Sequence, residues 1–141
     1  MVAVADTSWS YSGLKVSSSS VGVCDGITVS FIVHNTGAVT SDEVAQVYLG
    51  RPDGAGDTNF PELRQFARVS VAAHGVQHVA LHLPASARAV VRDDGVHVVR
   101  AGEFTIYAGG GQPLVAERFR TSNILSAHLT VSGAEHEADS C

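Results

Sequence analysis

The stretch Ile27-Thr28-Val29-Ser30-Phe31-Ile32-Val33-His34-Asn35-Thr36-Gly37 decides the fold of this chain. Ile27, Val29, Phe31 and Val33 recur at every second position, with Thr28, Ser30 and His34 between them, and only Ile32 breaks the phase. A period of two sends successive side chains to opposite faces of a pleated strand, one set toward a core and the other toward solvent or a partner. Asn35-Thr36-Gly37 ends the run with residues that bond local backbone or tolerate positive φ.

The same period recurs along the chain. Ala45, Val47 and Leu49 alternate with Gln46 and Tyr48, and Val79, Leu81 and Leu83 alternate with Ala80 and His82. Phe104, Ile106 and Ala108 alternate with Thr105 and Tyr107, and Ala127, Leu129 and Val131 with His128 and Thr130. Turn signals stand between the runs at His74-Gly75, Asp93-Asp94-Gly95 and Gly109-Gly110-Gly111. The pattern predicts seven strands, about 10–16, 26–35, 43–50, 66–73, 76–83, 103–109 and 124–132, and a minor hairpin near 90–99 that turns at Asp94-Gly95. Pro84-Ala85-Ser86-Ala87-Arg88 reads as one helical turn opened by its proline. The expected fold is therefore all-β: a two-sheet antiparallel sandwich of the immunoglobulin or fibronectin III type with about seven strands. Val29, Phe31, Val47, Leu81 and Phe104 are the expected core. The polar segment from Arg51 to Pro61 is an expected surface loop, dispensable for folding.

At 141 residues the chain is one domain, long enough for a core without staples. Apolar residues make up 45% and charged residues 16%, which suits a folded rather than a disordered chain. The net charge is −5, and the nine basic residues form no cluster, so phosphate-backbone binding has no footing. The apolar runs are far too short for a membrane-spanning helix. Residues 1–6 lack the basic and long apolar regions of a signal peptide and read as a leader or remnant. The compartment stays open. Residues 7–133 are the expected sandwich, and the acidic, small-residue segment 134–141 is an expected disordered tail. Cys24 and Cys141 are read by default as two unpaired thiols, with a disulfide as the open alternative, which would require that tail to dock.

Four blocks, in order, carry a resemblance: Ile27 to Gly37, Glu43-Val44-Ala45-Gln46-Val47-Tyr48-Leu49, Glu62-Leu63-Arg64-Gln65-Phe66-Ala67-Arg68-Val69, and Ala101-Gly102-Glu103-Phe104-Thr105-Ile106-Tyr107-Ala108-Gly109. Together they resemble the fibronectin type III-like domain at the C-terminus of family 3 glycoside hydrolases, the β-glucosidases and β-xylosidases. Thr7 to Val16 is similar to that domain's opening strand. The resemblance implies an accessory domain, since the nucleophile and the acid/base of that family lie in other domains.

The residues themselves agree. A glycosidase needs two carboxyl groups about 5–10 Å apart across a bond. The adjacent pairs here, Asp42-Glu43 and Asp93-Asp94, point to opposite strand faces or bond a local turn. Among the seven histidines, His78 and His82 have the helical zinc spacing, but on a strand it places their Cα atoms roughly 13 Å apart. His136 sits in the acidic tail. Ser17 to Ser20 is loop composition without a nucleophile elbow. No catalytic residue, cofactor or metal site is expected.

The candidate interface residues are Tyr48, Tyr107, Phe60, Arg64 and Arg68. Tyr48 and Tyr107 run out of the core phase and are expected on one outer face. Phe60 lies on the long loop, and Arg64 and Arg68 share parity. Leu63 and Phe66 are expected as core or sheet-edge anchors, and Trp9 as a cover for one end of the sandwich. The leading expectation is a non-catalytic module that packs on and stabilises the catalytic domains of a β-glucosidase or β-xylosidase-like enzyme. The alternatives are a carbohydrate-binding module and a free-standing adhesion or assembly domain.

Overall fold

The computed structural model describes residues 9–51, 61–111 and 122–141. The expected leader, most of the loop after Arg51, and Phe60 lie outside them. Among the described residues, three stretches of backbone hydrogen bonding build three sheets. One is three-stranded, in the order β1 (Trp9–Val16), β3 (Ile27–Asn35), β6 (Val76–Leu83). The second is five-stranded, in the order β2 (Ser20–Gly22), β10 (Leu125–Ser132), β9 (Gly102–Gly109), β4 (Ser41–Gly50), β5 (Glu62–Val71). The third is small, joining β11 (His136–Glu137), β8 (His97–Val99) and β7 (Val90–Val91). The seven long strands correspond to the seven expected, except that β5 runs Glu62–Val71, starting four residues earlier than the expected 66–73, and the expected turn after Pro84 is a 3-10 helix over Ala85–Arg88.

The two larger sheets pack face to face. β3 alternates buried and half-buried along its whole length, as its period of two requires. Val29, Phe31 and Val33 of β3 meet Ala45, Val47 and Leu49 of β4, Phe104, Ile106 and Ala108 of β9, and Leu129 and Val131 of β10 in one core. Tyr11 packs tilted against Phe31 with ring centroids 5.6 Å apart, and Trp9 is buried in the same cluster. Leu81 packs against this core without being enclosed by it. The out-of-phase Ile32 lies over Gly13 at a bulge of β1, where a Cβ would stand 3.3 Å from its Cδ1. Gly13 has φ +66°, so only glycine takes this conformation without strain.

The turn after β3 is pinned by Asn35, which is fully buried. Its Nδ2 donates to the carbonyls of Val39 (2.8 Å) and Val71 (3.1 Å), and its Oδ1 accepts from the Gly37 amide (2.9 Å). The side chain thus ties the β3–β4 turn to the end of β5. Asn123 does similar work elsewhere: it donates to the Tyr11 carbonyl and accepts the Tyr11 amide, standing in for a strand neighbour of β1.

The C-terminal segment departs from expectation. Residues 134–141 are not a disordered tail: His136 pairs with Val99 and Glu137 with Val98. Glu135 accepts from both Arg100 (2.6 Å) and Arg92 (3.1 Å), and these hydrogen bonds, helped by the two positive charges, hold its carboxyl below the usual range. Cys141 is not a free thiol but is bonded to Cys24. The acidic composition that reads as solvated is matched by two arginines 43 and 35 residues upstream. The other end of the bridge is also anchored. The Arg88 guanidinium, 2% exposed, donates through Nη2 to the carbonyls of Gly22 (3.4 Å), Val23 (3.2 Å) and Asp25 (2.8 Å) around Cys24.

Candidate interaction face

β4 sits between β9 and the edge strand β5, so its outward residues lie on the β5 side of the outer sheet face. Register places Tyr48 opposite Tyr107 on one side and Leu63 on the other, and Gln46 opposite Phe66. The two tyrosines do share the outer face, as their phase implies. Tyr48 is nevertheless only 8% exposed. Its hydroxyl donates to Gln46 Oε1 at 2.6 Å, and burial pushes its pKa up. Gln46 Nε2 in turn donates to the Gly110 carbonyl. Tyr107 leans over Gly50, where a Cβ would be 3.1 Å from its ring, so this glycine makes room for the aromatic.

Leu63 and Phe66 are not core anchors: they are 44% and 59% exposed. In a regular strand, positions three apart point to opposite faces. The ladder slips between Val47 and Tyr48, however, so that Val47 pairs with Gln65 and Tyr48 with Leu63, leaving Arg64 as the extra residue of a bulge. That bulge turns both apolar side chains outward. It also separates the two arginines. Arg68 stays on the face opposite Val44 and pairs with Asp42 at 3.0 Å. Arg64 bonds Glu62 and lines a cleft of about 450 Å³ with Arg51, Ser86 and Val90. Phe60 lies outside the described residues. Val44, Leu63 and Phe66 therefore form the apolar part of the face, bordered by Tyr107 and the exposed Arg68–Asp42 pair; an exposed pair of this kind contributes little stability.

Asp42 and Glu43 point to opposite faces. Glu43 turns into the end of the sandwich, where its Oε2 accepts from the Tyr11 hydroxyl at 3.1 Å and its Oε1 from the Val44 amide. Burial raises the Glu43 pKa, and hydrogen bonds to Tyr11 and Val44 oppose it. Burial and the nearby carboxylate push the Tyr11 hydroxyl up as well, so it stays protonated through the neutral range. A carboxyl whose folded pKa lies above its unfolded value contributes stability below the unfolded value and loses that contribution as pH rises through the folded one. Glu43→Gln keeps an acceptor for Tyr11 without the desolvated charge. The melting temperature of this variant is expected to equal or exceed wild type at neutral pH, with the difference vanishing in acid. A lower melting temperature at neutral pH contradicts this reading.

His78 and His82 sit on β6 opposite Ile32 and Thr28, four residues apart along the strand. Among the described residues no helix is long and apolar enough to cross a membrane.

The model of the fibronectin type III-like domain matches residues 43–112. A β-xylosidase of Formosa agariphila is 33% identical over 104 residues, 73% of this chain and 14% of that protein. A β-glucosidase of Erythrobacter marinus superposes with a TM-score of 0.77 at 26% identity, over 89% of this chain and 16% of its own. β-Glucosidase 3B of Thermotoga neapolitana superposes with a TM-score of 0.71 at 28% identity, over 93% and 17%. The chain thus spans about one sixth of the length of these relatives. It belongs to the fibronectin type III-like family, a β-sandwich domain that in these relatives is one part of a β-xylosidase or β-glucosidase chain.

Proposed function

We infer that this domain packs on the catalytic domains of a β-glucosidase or β-xylosidase-like enzyme and stabilises them. The contact is the outer face of the five-stranded sheet, around Val44, Tyr48, Leu63, Phe66 and Tyr107. The observation that carries this reading is the outward turn of Leu63 and Phe66 by the β4–β5 bulge. A phenyl ring left more than half exposed beside a leucine is the composition of the middle of a protein interface, with a charged pair and tyrosines at its border. The relatives support the partner, because in each of them the matching region is a small part of a much longer chain. Such an interface stabilises by burying apolar surface between domains.

Sugar binding is tested on the same face. A glycan platform needs accessible ring faces, whereas Tyr48 is nearly enclosed. Titration with cello- and xylo-oligosaccharides, followed by amide shifts, is expected to leave Tyr48 and Tyr107 unmoved. Saturable shifts centred on these two residues would replace the docking reading with a carbohydrate-binding one.

A further inference from the structure

We propose that Cys24, His136 and Cys141 form a thiol-gated metal site, which takes one divalent ion of the zinc class when the disulfide is reduced. A sulfur from Cys24, a sulfur from Cys141 and a ring nitrogen of His136 all lie within 4.8 Å of one another. Two thiolates and an imidazole are a donor set that zinc favours over hard cations. Tetrahedral zinc holds sulfur at about 2.3 Å and nitrogen at about 2.0–2.1 Å, which places its ligands roughly 3.5–3.8 Å apart. The donor atoms stand within 4.8 Å of one another in the oxidised chain, so an ion needs the bonded sulfurs to move apart while the imidazole stays beside them.

The sulfurs are held near each other by more than their bond. Arg88 fixes the carbonyls around Cys24, and the Gly22 amide donates to Asp25 Oδ2 at 2.9 Å. On the other side, the pairing of β11 with β8 and the double ion pair of Glu135 hold the segment that carries His136 and Cys141. Breaking the disulfide therefore leaves two anchored thiols beside an exposed imidazole. His136 and Cys141 are open to solvent, which gives an ion its entry and a water its place as fourth ligand. The chemistry balances as follows. A dithiol reductant supplies two electrons and two protons to the disulfide and is itself oxidised to a disulfide, giving two thiols. Metal binding then releases both thiol protons to solvent. Disulfide and metal are alternative closures of the same loop, selected by the redox state.

The test uses the full chain, reduced with a phosphine without oxygen, freed of reductant and titrated with cobalt(II). The expected result is a thiolate-to-cobalt charge-transfer band that saturates at one equivalent, with the intense visible bands of tetrahedral cobalt, and that zinc displaces. The oxidised chain should show neither. Cys24→Ser should abolish the charge-transfer band of the two-sulfur site. His136→Ala should weaken cobalt binding at least about tenfold, since even a supporting partner of a ligand is worth about 10–100-fold. His136 is exposed, so its variant is expected to fold, which near-ultraviolet circular dichroism checks. The proposal is overturned by a reduced chain without the band, by a band indifferent to His136→Ala, or by a reduced chain that loses tertiary structure before metal is added.

Discussion

Phe31→Ala is expected to destabilise the domain by about 3–5 kcal/mol, and Phe104→Ala by a similar amount. Phe31 stands at the centre of β3, 2% exposed, with Tyr11 packed tilted against it, and Phe104 approaches from β9 in the other sheet. Truncating either ring removes its transfer free energy and leaves a cavity that a sandwich of two hydrogen-bonded sheets closes only in part. Stability of this order is a large share of what a domain of this size possesses. Urea unfolding checks it. A midpoint near wild type for both variants would mean that the inward phase of the two sheets is misassigned.

The second large effect is expected at the disulfide. Cys24 and Cys141 are 117 residues apart in sequence, so their bond closes most of the chain into one loop. In the chain-entropy picture a loop of about 100 residues corresponds to about 4.7 kcal/mol, and measured losses on removing a native bridge run about 2–5 kcal/mol. The Cys24→Ser, Cys141→Ser double variant should therefore unfold at a clearly lower urea concentration than the oxidised chain. The loss should come with faster amide exchange at Val98 and Val99, the partners of β11. An unchanged midpoint would show that the docked terminus adds nothing to the stability of the sandwich.

Much of the fold was legible because the physics that sets it is local. Alternation in β3, β4, β6, β9 and β10 identifies the buried face residue by residue, and Asn35-Thr36-Gly37 marks its turn. Asn35 shows why such a signal is reliable: one side chain bonds three backbone groups of the turn and the neighbouring strand end. Phase is fragile wherever register slips. Leu63 and Phe66 have opposite parity in sequence, and no glycine or proline lies between them to announce the bulge at Arg64. The slip arises from pairing with β4, a partner far enough away that the local pattern does not carry it. The C-terminus was illegible for a related reason. Glu135 to Ser140 is acidic and small, and its order comes from Arg92, Arg100, β8 and Cys24, all distant in sequence. The even pair of cysteines was the available signal, and the composition of the tail outweighed it.

For the candidate face, the sequence identified the two tyrosines but not the residues that make the face sticky. Tyr48 and Tyr107 stand paired where their phase puts them, yet one is nearly enclosed and the other is laid over Gly50. The exposed apolar surface comes instead from Phe66 and Leu63, both displaced by the bulge. The carboxylates read as structural from their adjacency are so placed, with Asp42 on Arg68 and Glu43 on Tyr11.

The most direct test of the account is the docking itself. The catalytic portion of a family 3 β-glucosidase, prepared without its own fibronectin type III-like domain, is titrated into the isotope-labelled chain while amide shifts are recorded. The account predicts saturable shifts at Val44, Tyr48, Leu63, Phe66 and Tyr107, abolished by Phe66→Asp together with Leu63→Asp. Shifts confined to the opposite sheet, around Ser30, His78 and Ala80, or shifts that survive both substitutions, would contradict it.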